Sequence, residues 1–264
     1  MDIKKFETQI GGRALTLETG RLAIQADAAV MATYGETVVL ATVVMSRNER
    51  SNINYFPLTV DFDEKFYAAG RIKGSRWVKR EGRATDEAIL SARLIDRTLR
   101  PLFNHRLRNE VQVILTTLSF DGQNDPDVLG IIAASTALLL SGVPWQGPVA
   151  GVRIGRDKDK NFIINPTYTQ RLEGDLDLVV SGPEKLINMI EASSNEVTEE
   201  DLIKASELAQ IETAKLIEFQ KSVAAQMPTK SNLIVVPKPD EYLKKEMKSW
   251  LGGRLEQGSR CLRA

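Results

Sequence analysis

The chain has 264 residues, 42% of them hydrophobic, and its 35 Lys and Arg balance 35 Asp and Glu, so it is long enough for one large domain or two small ones around a real core. No apolar run approaches the roughly 20 residues of a membrane span, and the N-terminus, MDIKKFETQIGG, lacks a signal peptide's apolar centre, so a cytoplasmic location with no membrane partner is expected. The single cysteine, Cys261, and single histidine, His105, exclude an internal disulfide framework, a His/Cys zinc site and a Cys–His nucleophile pair, and no metal site is expected.

Leu15 and Leu17, then Leu22, Ile24 and Ala26, alternate with polar neighbours and predict extended strands. Residues 28–33 meet the turn signal Tyr34-Gly35-Glu36. TVVLATVVM (37–45) follows as a nearly continuous β-branched run, so a hairpin whose second strand is buried is expected. Another alternating strand covers 58–66. A helix is predicted from about Thr85 to Leu99, capped by Thr85 or Asp86, with Ala88, Ala92, Ile95 and Leu99 as its apolar stripe and Pro101 as its stop.

EVQVILTTLS (110–119) predicts a strand. VLGIIAASTALLL (128–140) is apolar on most faces and rich in small residues, which predicts a central buried helix. Strands are expected near 149–154, 162–164 and 176–180. Thr198-Glu199-Glu200-Asp201 opens a long helix with a capping-box pattern, running to about Ala225 before Met227-Pro228 breaks it. Asp240 to Trp250 predicts the start of another helix, and residues 252–264 show no periodicity. The pattern is α/β (α+β), without internal repeats.

Charge is placed locally. Residues 71–100 hold nine Arg and Lys against four Asp and Glu. The first half reads as a loop, with Gly74 and Gly82 around Trp77; the second is the helix, with Arg93, Arg97 and Arg100 at i, i+4 and i+7 on one face. Cations for a backbone and an aromatic for unpaired bases suit single-stranded RNA. The competing reading is a solvated face whose helix arginines pair with Asp86, Glu87 and Asp96.

Four strings carry a resemblance: FPLTVDFDEKFYAAGRIKGS (56–75), KREGRATDEAILSARLIDRTLRPLF (79–103), NEVQVI (109–114) and GDLDLVVSG (174–182). They resemble the first RNase PH-like domain of the bacterial polynucleotide phosphorylase (polyribonucleotide nucleotidyltransferase) family. The resemblance runs over about residues 6–225 and continues weakly into that family's helical domain. It implies an RNase PH-like fold of mixed sheets and packed helices over 1–226. A truncated all-α linker segment with an atypical tail is implied over 227–264.

In that family inorganic phosphate attacks the 3′-terminal phosphodiester of RNA and releases nucleoside diphosphates. The resemblance therefore implies a 3′-to-5′ phosphorolytic exoribonuclease of mRNA degradation. It works as a homotrimeric ring, with magnesium and phosphate at a second, catalytic copy of the fold and other RNA-degradation proteins as partners. The family's pore loop carries two aromatics and then two arginines. The matching positions here are Trp77, Val78, Lys79 and Arg80, so the implied RNA-binding residues are Trp77, Lys79, Arg80, Arg83 and Arg100. The catalytic copy reads D-x-x-G-D-x-D-x-K where this chain has RLEGDLDLV (171–179): Arg171 replaces an aspartate, Val179 replaces the lysine, and Asp177 is retained beside Asp175. Its serine cluster at the start of the central helix is replaced by Asn124-Asp125-Pro126-Asp127. The resemblance thus implies a non-catalytic copy with no catalytic or metal residues, supplying RNA binding and ring scaffolding.

Overall fold

Period-two alternation builds the first sheet. It comprises β1 (Lys4–Ile10), β2 (Arg13–Thr19), β3 (Ala28–Tyr34), β4 (Thr37–Glu49), β5 (Leu58–Glu64) and, after helix α1 (Asp86–Leu99), β6 (Asn109–Ser119). These elements belong to a computed structural model that describes residues 3–72, 84–228, 234, 236, 240–252 and 254. The strand order is β1-β2-β3-β4-β6-β5, with every neighbour antiparallel except the parallel β5–β6 pair. The expected hairpin is β3–β4, closed at Tyr34↔Thr37, with Gly35 at φ +61° where an L side chain would be strained.

The second sheet follows helix α2 (Pro126–Ser141). It comprises β7 (Ala150–Arg156), β8 (Phe162–Ile164) and, after the short helix α3 (Tyr168–Glu173), β9 (Leu176–Gly182) and β10 (Met189–Ser194), in the antiparallel order β10-β9-β7-β8. Helix α4 (Glu199–Ala225) closes this part of the chain, and α5 (Glu241–Leu251) lies beyond it. The chain divides into two compact units, residues 1–233 and 234–264.

Helix α2 is the hub. It packs on β3 and β4 of one sheet, on β7 of the other, and on α1 and α4, which is why the 128–140 run is apolar all round. Two glycines permit the close approach. A Cβ on Gly130 would stand 2.9 Å from Leu115 Cδ2, and one on Gly151 would stand 2.7 Å from Ile131 Cδ1. One set of buried polar groups closes on itself. Ser135 Oγ donates to Gln220 Oε1 at 2.6 Å and accepts from the Val149 N–H, while Gln220 Nε2 donates to the Val149 carbonyl. That loop ties α2, the start of β7 and α4 without an orphaned group in it.

Two strand expectations are corrected. Leu22, Ile24 and Ala26 do not form a strand: they lie in a turn-rich loop between β2 and β3, where Gly20 and Ala23 take positive φ, and Ile24 is 67% exposed. The β4 run is buried on one face only. Val39, Ala41, Val43 and Met45 point into the core, while Val38, Leu40 and Thr42 are half-buried and Val44 is 43% exposed. Met31 lies opposite Leu40, and Ile114 opposite Thr42, so a partly open apolar patch sits on the outer face of the sheet among polar neighbours such as Glu18 and Thr116.

Candidate functional site

The loop before α2 is fixed by one carboxylate. Asp121 accepts from the backbone N–H of Asn124 (2.7 Å), Gln123 (2.8 Å) and Glu36 (3.2 Å), and from the Asn124 side chain. Burial pushes its carboxyl up, but these donors outweigh burial and hold it at about 2. The result is a rigid approach to α2, whose cap is Asp125, with Pro126 in the first turn.

At this helix end three carboxylates meet two arginines. Arg153, on β7 and 6% exposed, donates from Nη1 to Asp177 Oδ1 (2.6 Å) and from Nη2 to Asp127 Oδ2 (2.7 Å); Nη2 also lies 3.1 Å from Asp125 Oδ2. Arg171, on α3, donates from Nε (3.0 Å) and Nη2 (2.7 Å) to Asp177 Oδ2 and from Nη1 to Asp125 Oδ2 (2.6 Å). Its guanidinium lies 5.2 Å from the centre of the Tyr168 ring, within cation–π range. Val179, expected at a lysine position, is buried on β9 directly across from Arg153. Asp175 belongs elsewhere: Arg156 grips it with Nε (2.8 Å) and Nη2 (2.6 Å) and reaches Asp201 at the start of α4.

The electrostatics follow from this crowding. Burial, then the neighbouring Asp125 carboxylate, push Asp127 up to about 7, with Arg153 pulling the other way. Burial lowers the Arg153 pKa, but the charges of Asp127, Asp125 and Asp177 raise it further, so the guanidinium stays protonated. The Tyr168 hydroxyl is raised by burial and by the same acidic pair.

Magnesium does not fit these residues. A magnesium site needs carboxylate oxygens free to converge on the ion, and here guanidinium groups hold Asp125, Asp127 and Asp177. Among the described residues no group of three or more His, Cys, Asp or Glu could hold a metal ion. Free phosphate fits no better, because carboxylates already stand against the arginines and the helix end that would attract it.

Of the expected RNA-binding residues, Trp77, Lys79, Arg80 and Arg83 lie outside the described residues. Arg100 is within them: it donates to both Asp96 oxygens (2.8 and 2.5 Å) and to the Leu58 carbonyl (3.1 Å), tying α1 to β5. Arg93 and Arg97 point outward. Arg153 is the residue that sequence reasoning passed over. Its signal was two arginines, 153 and 156, inside the apolar strand AGVRIGR, where each charge demands a partner.

Comparison with known proteins gives a consistent picture. The family described as "3′ exoribonuclease family, domain 1" matches residues 11–144, and "3′ exoribonuclease family, domain 2" matches residues 147–212. The polyribonucleotide nucleotidyltransferase of Thermomicrobium roseum is 48% identical over 255 residues, covering 97% of this chain and 32% of that protein. Those of Heliobacterium modesticaldum (44% over 250 residues) and a Bradyrhizobium species (53% over 199 residues) are similar. The chain spans about a third of the length of the curated relatives it matches. Among solved structures, rice (Oryza sativa) Rrp46 superposes with a TM-score of 0.65 at 15% identity, over 80% of this chain and 94% of that one, a likeness of fold.

Proposed function

The chain belongs to the 3′ exoribonuclease family, and from that premise we propose that it is the RNA-binding, non-catalytic RNase PH half of a polyribonucleotide nucleotidyltransferase. In this reading the longer protein performs phosphorolysis of RNA from the 3′ end, with phosphate and magnesium bound at a second copy of the fold. This half guides the strand and helps close a ring, in the cytoplasm, as part of mRNA degradation. One observation carries the non-catalytic assignment: Arg153 and Arg171 hold Asp125, Asp127 and Asp177 in ion pairs, so none of these carboxylates at the head of α2 is free to hold a metal ion.

RNA contact falls to Trp77, Lys79, Arg80 and Arg83, with Arg100 at the margin. Ring closure is supported by the half-open apolar patch at Met31, Leu40 and Ile114 on the first sheet, and by exposed Ile89 and Leu90 on α1. Residues 1–226 form the RNase PH unit of this proposal, and 227–264 begin a helical linker. The test is the salt dependence of single-stranded RNA affinity. Each phosphate contact removed should flatten the log–log slope by about 0.7, so alanine at 79, 80 and 83 together should flatten it by about 2. An unchanged slope and unchanged low-salt affinity would show that these residues only face solvent.

A further inference from the structure

We propose that two neighbouring segments at one end of the first sheet form a further contact surface for single-stranded RNA, with Arg47, Arg106 and Tyr55 as its contact residues. The segments are residues 46–55, which end β4 and lead toward β5, and residues 103–108, which lead into β6. The inference rests on reading the chain as one that handles RNA, but it is independent of Lys79, Arg80 and Arg83, and its test lets either reading fail alone.

Packing and hydrogen bonds bring the two segments together. Beneath them the buried rings of Phe56 and Phe103 lie 4.8 Å apart, and Phe103 lies 6.0 Å from Trp145, an apolar base shared by both. The Arg50 N–H donates to the Arg108 carbonyl (2.9 Å), the Glu110 N–H to Ser46 Oγ (2.9 Å), and Asn109 Nδ2 to the Ser46 carbonyl (3.1 Å). Arg108 adds a staple: Nη1 donates to the His105 carbonyl (2.7 Å) and Nη2 lies 3.5 Å from the Asn54 carbonyl. The result is a braced surface from which Arg47, Arg50, Arg106 and Tyr55 project into solvent.

The charge on this surface is not cancelled. Residues 46–55 and 103–110 hold four arginines against two glutamates, in a chain that is balanced as a whole. The ion pair between them, Arg50 Nε to Glu110 Oε2 at 3.4 Å, is exposed and weak. Carbonyls rather than carboxylates receive the Arg108 donors. Neither Arg47 nor Arg106 pairs its side chain with an acid among the described residues. Cations alone would suit any polyanion. Tyr55 narrows the choice: it is 57% exposed, directly before the buried Phe56, and so offers a ring to an unpaired base. The exposed amides of Asn48, Asn52 and Asn54 offer hydrogen bonds to base edges and sugars. An acidic peptide would use the arginines but not the ring.

The experiment follows binding of a fluorescein-labelled oligo(U) of about 30 nucleotides to the full chain by anisotropy, between about 50 and 200 mM salt. Arg47→Gln with Arg106→Gln removes two exposed charges and should flatten the log–log salt slope by about 1.4. Over that range the unsubstituted chain should then lose about sevenfold more affinity than the double variant. Tyr55→Leu should weaken binding about fivefold or more at every salt concentration and leave the slope unchanged. Both effects should persist when Lys79, Arg80 and Arg83 are already alanine. If the 47/106 pair and Tyr55→Leu change nothing while the triple alanine variant flattens the slope, this proposal is overturned and the proposed function stands. The opposite pattern supports this surface and removes RNA contact from 79, 80 and 83. Polyglutamate serves as competitor: if it displaces oligo(U) at equal charge concentration and Tyr55→Leu has no effect, the surface takes acidic protein segments and the RNA proposal is overturned. A chain that binds no oligo(U) at the lowest salt overturns both readings.

Discussion

Replacing Arg153 with methionine removes the cation at the centre of the cluster while keeping much of its length and apolar stem. Asp125 and Asp177 would retain Arg171. Asp127 would keep the Val128 N–H and the neighbouring Asp125 carboxyl but no cation, because Arg153 is the one cation it touches among the described residues. Breaking a buried pair from one side costs about 3–5 kcal/mol, and we expect about 3 kcal/mol at pH 7, since Asp127 can escape by taking a proton. That escape gives the prediction its sign. An acid whose folded pKa is raised binds more protons folded than unfolded, so its stability contribution falls as pH rises from the unfolded value to the folded one. In the intact protein the fall runs from 3.8 to about 7. Without Arg153 the folded pKa climbs further, so the fall continues above pH 7, at about 1.4 kcal/mol per pH unit. The gap between the two proteins should therefore widen from pH 7 to pH 8.5 and narrow toward pH 5.5. Urea unfolding followed by circular dichroism at these three pH values measures it, and Asp127→Asn added to Arg153→Met should recover about 2 kcal/mol at pH 8.5. A cost below about 1 kcal/mol, or a gap indifferent to pH, would refute the idea that the cluster is a mutually dependent buried network.

Three further outcomes are expected. Asp121→Ala should cost about 1 kcal/mol at neutral pH, after discounting the depressed carboxyl for solvent screening. Because that pKa is lowered from 3.8 to about 2, the difference should vanish as pH falls through this window in acid titrations of stability. Gly151→Ala drives a methyl to 2.7 Å from Ile131 Cδ1 and should cost about 1–3 kcal/mol; Ile131→Val should return part of it, and full additivity of the pair in urea melts would show that the contact is not the cause. The open apolar patch at Met31, Leu40 and Ile114, with Ile89 and Leu90 on α1, should make the isolated chain self-associate in reducing buffer, so light scattering after size exclusion should give more than one chain's mass, whereas a clean monomer at tens of micromolar would weaken the scaffold reading.

The elements that could be read from sequence are those whose burial matches their pattern. Helix α2 needs apolar residues on every side because sheets and helices surround it, and α1 and α4 announce themselves with Thr85 and Thr198 caps. Where tertiary context overrides pattern, the reading fails. Leu22, Ile24 and Ala26 alternate, yet the positive φ at Gly20 and Ala23 forbids a strand. Conversely, β10 buries only Met189 and offers no alternation to detect. At the site, the positions of Arg171, Asp177 and Val179 were visible through resemblance, but their chemistry was not. In sequence, the acids at 125 and 127 stand only as replacements for the family's serine cluster. The structure brings Arg153 from a strand 26 residues beyond Asp127 to pair with both, a pairing set by sheet register that local sequence does not encode.

The central claim is that this chain handles RNA without cleaving it. The direct measurement incubates the purified chain with poly(A), phosphate and magnesium and assays ADP release, with RNA binding recorded on the same preparation. The account predicts bound RNA and no ADP above a mock preparation. Sustained ADP release that scales with chain concentration would contradict it, because the three carboxylates at the head of α2 are engaged by Arg153 and Arg171 rather than free for a metal ion.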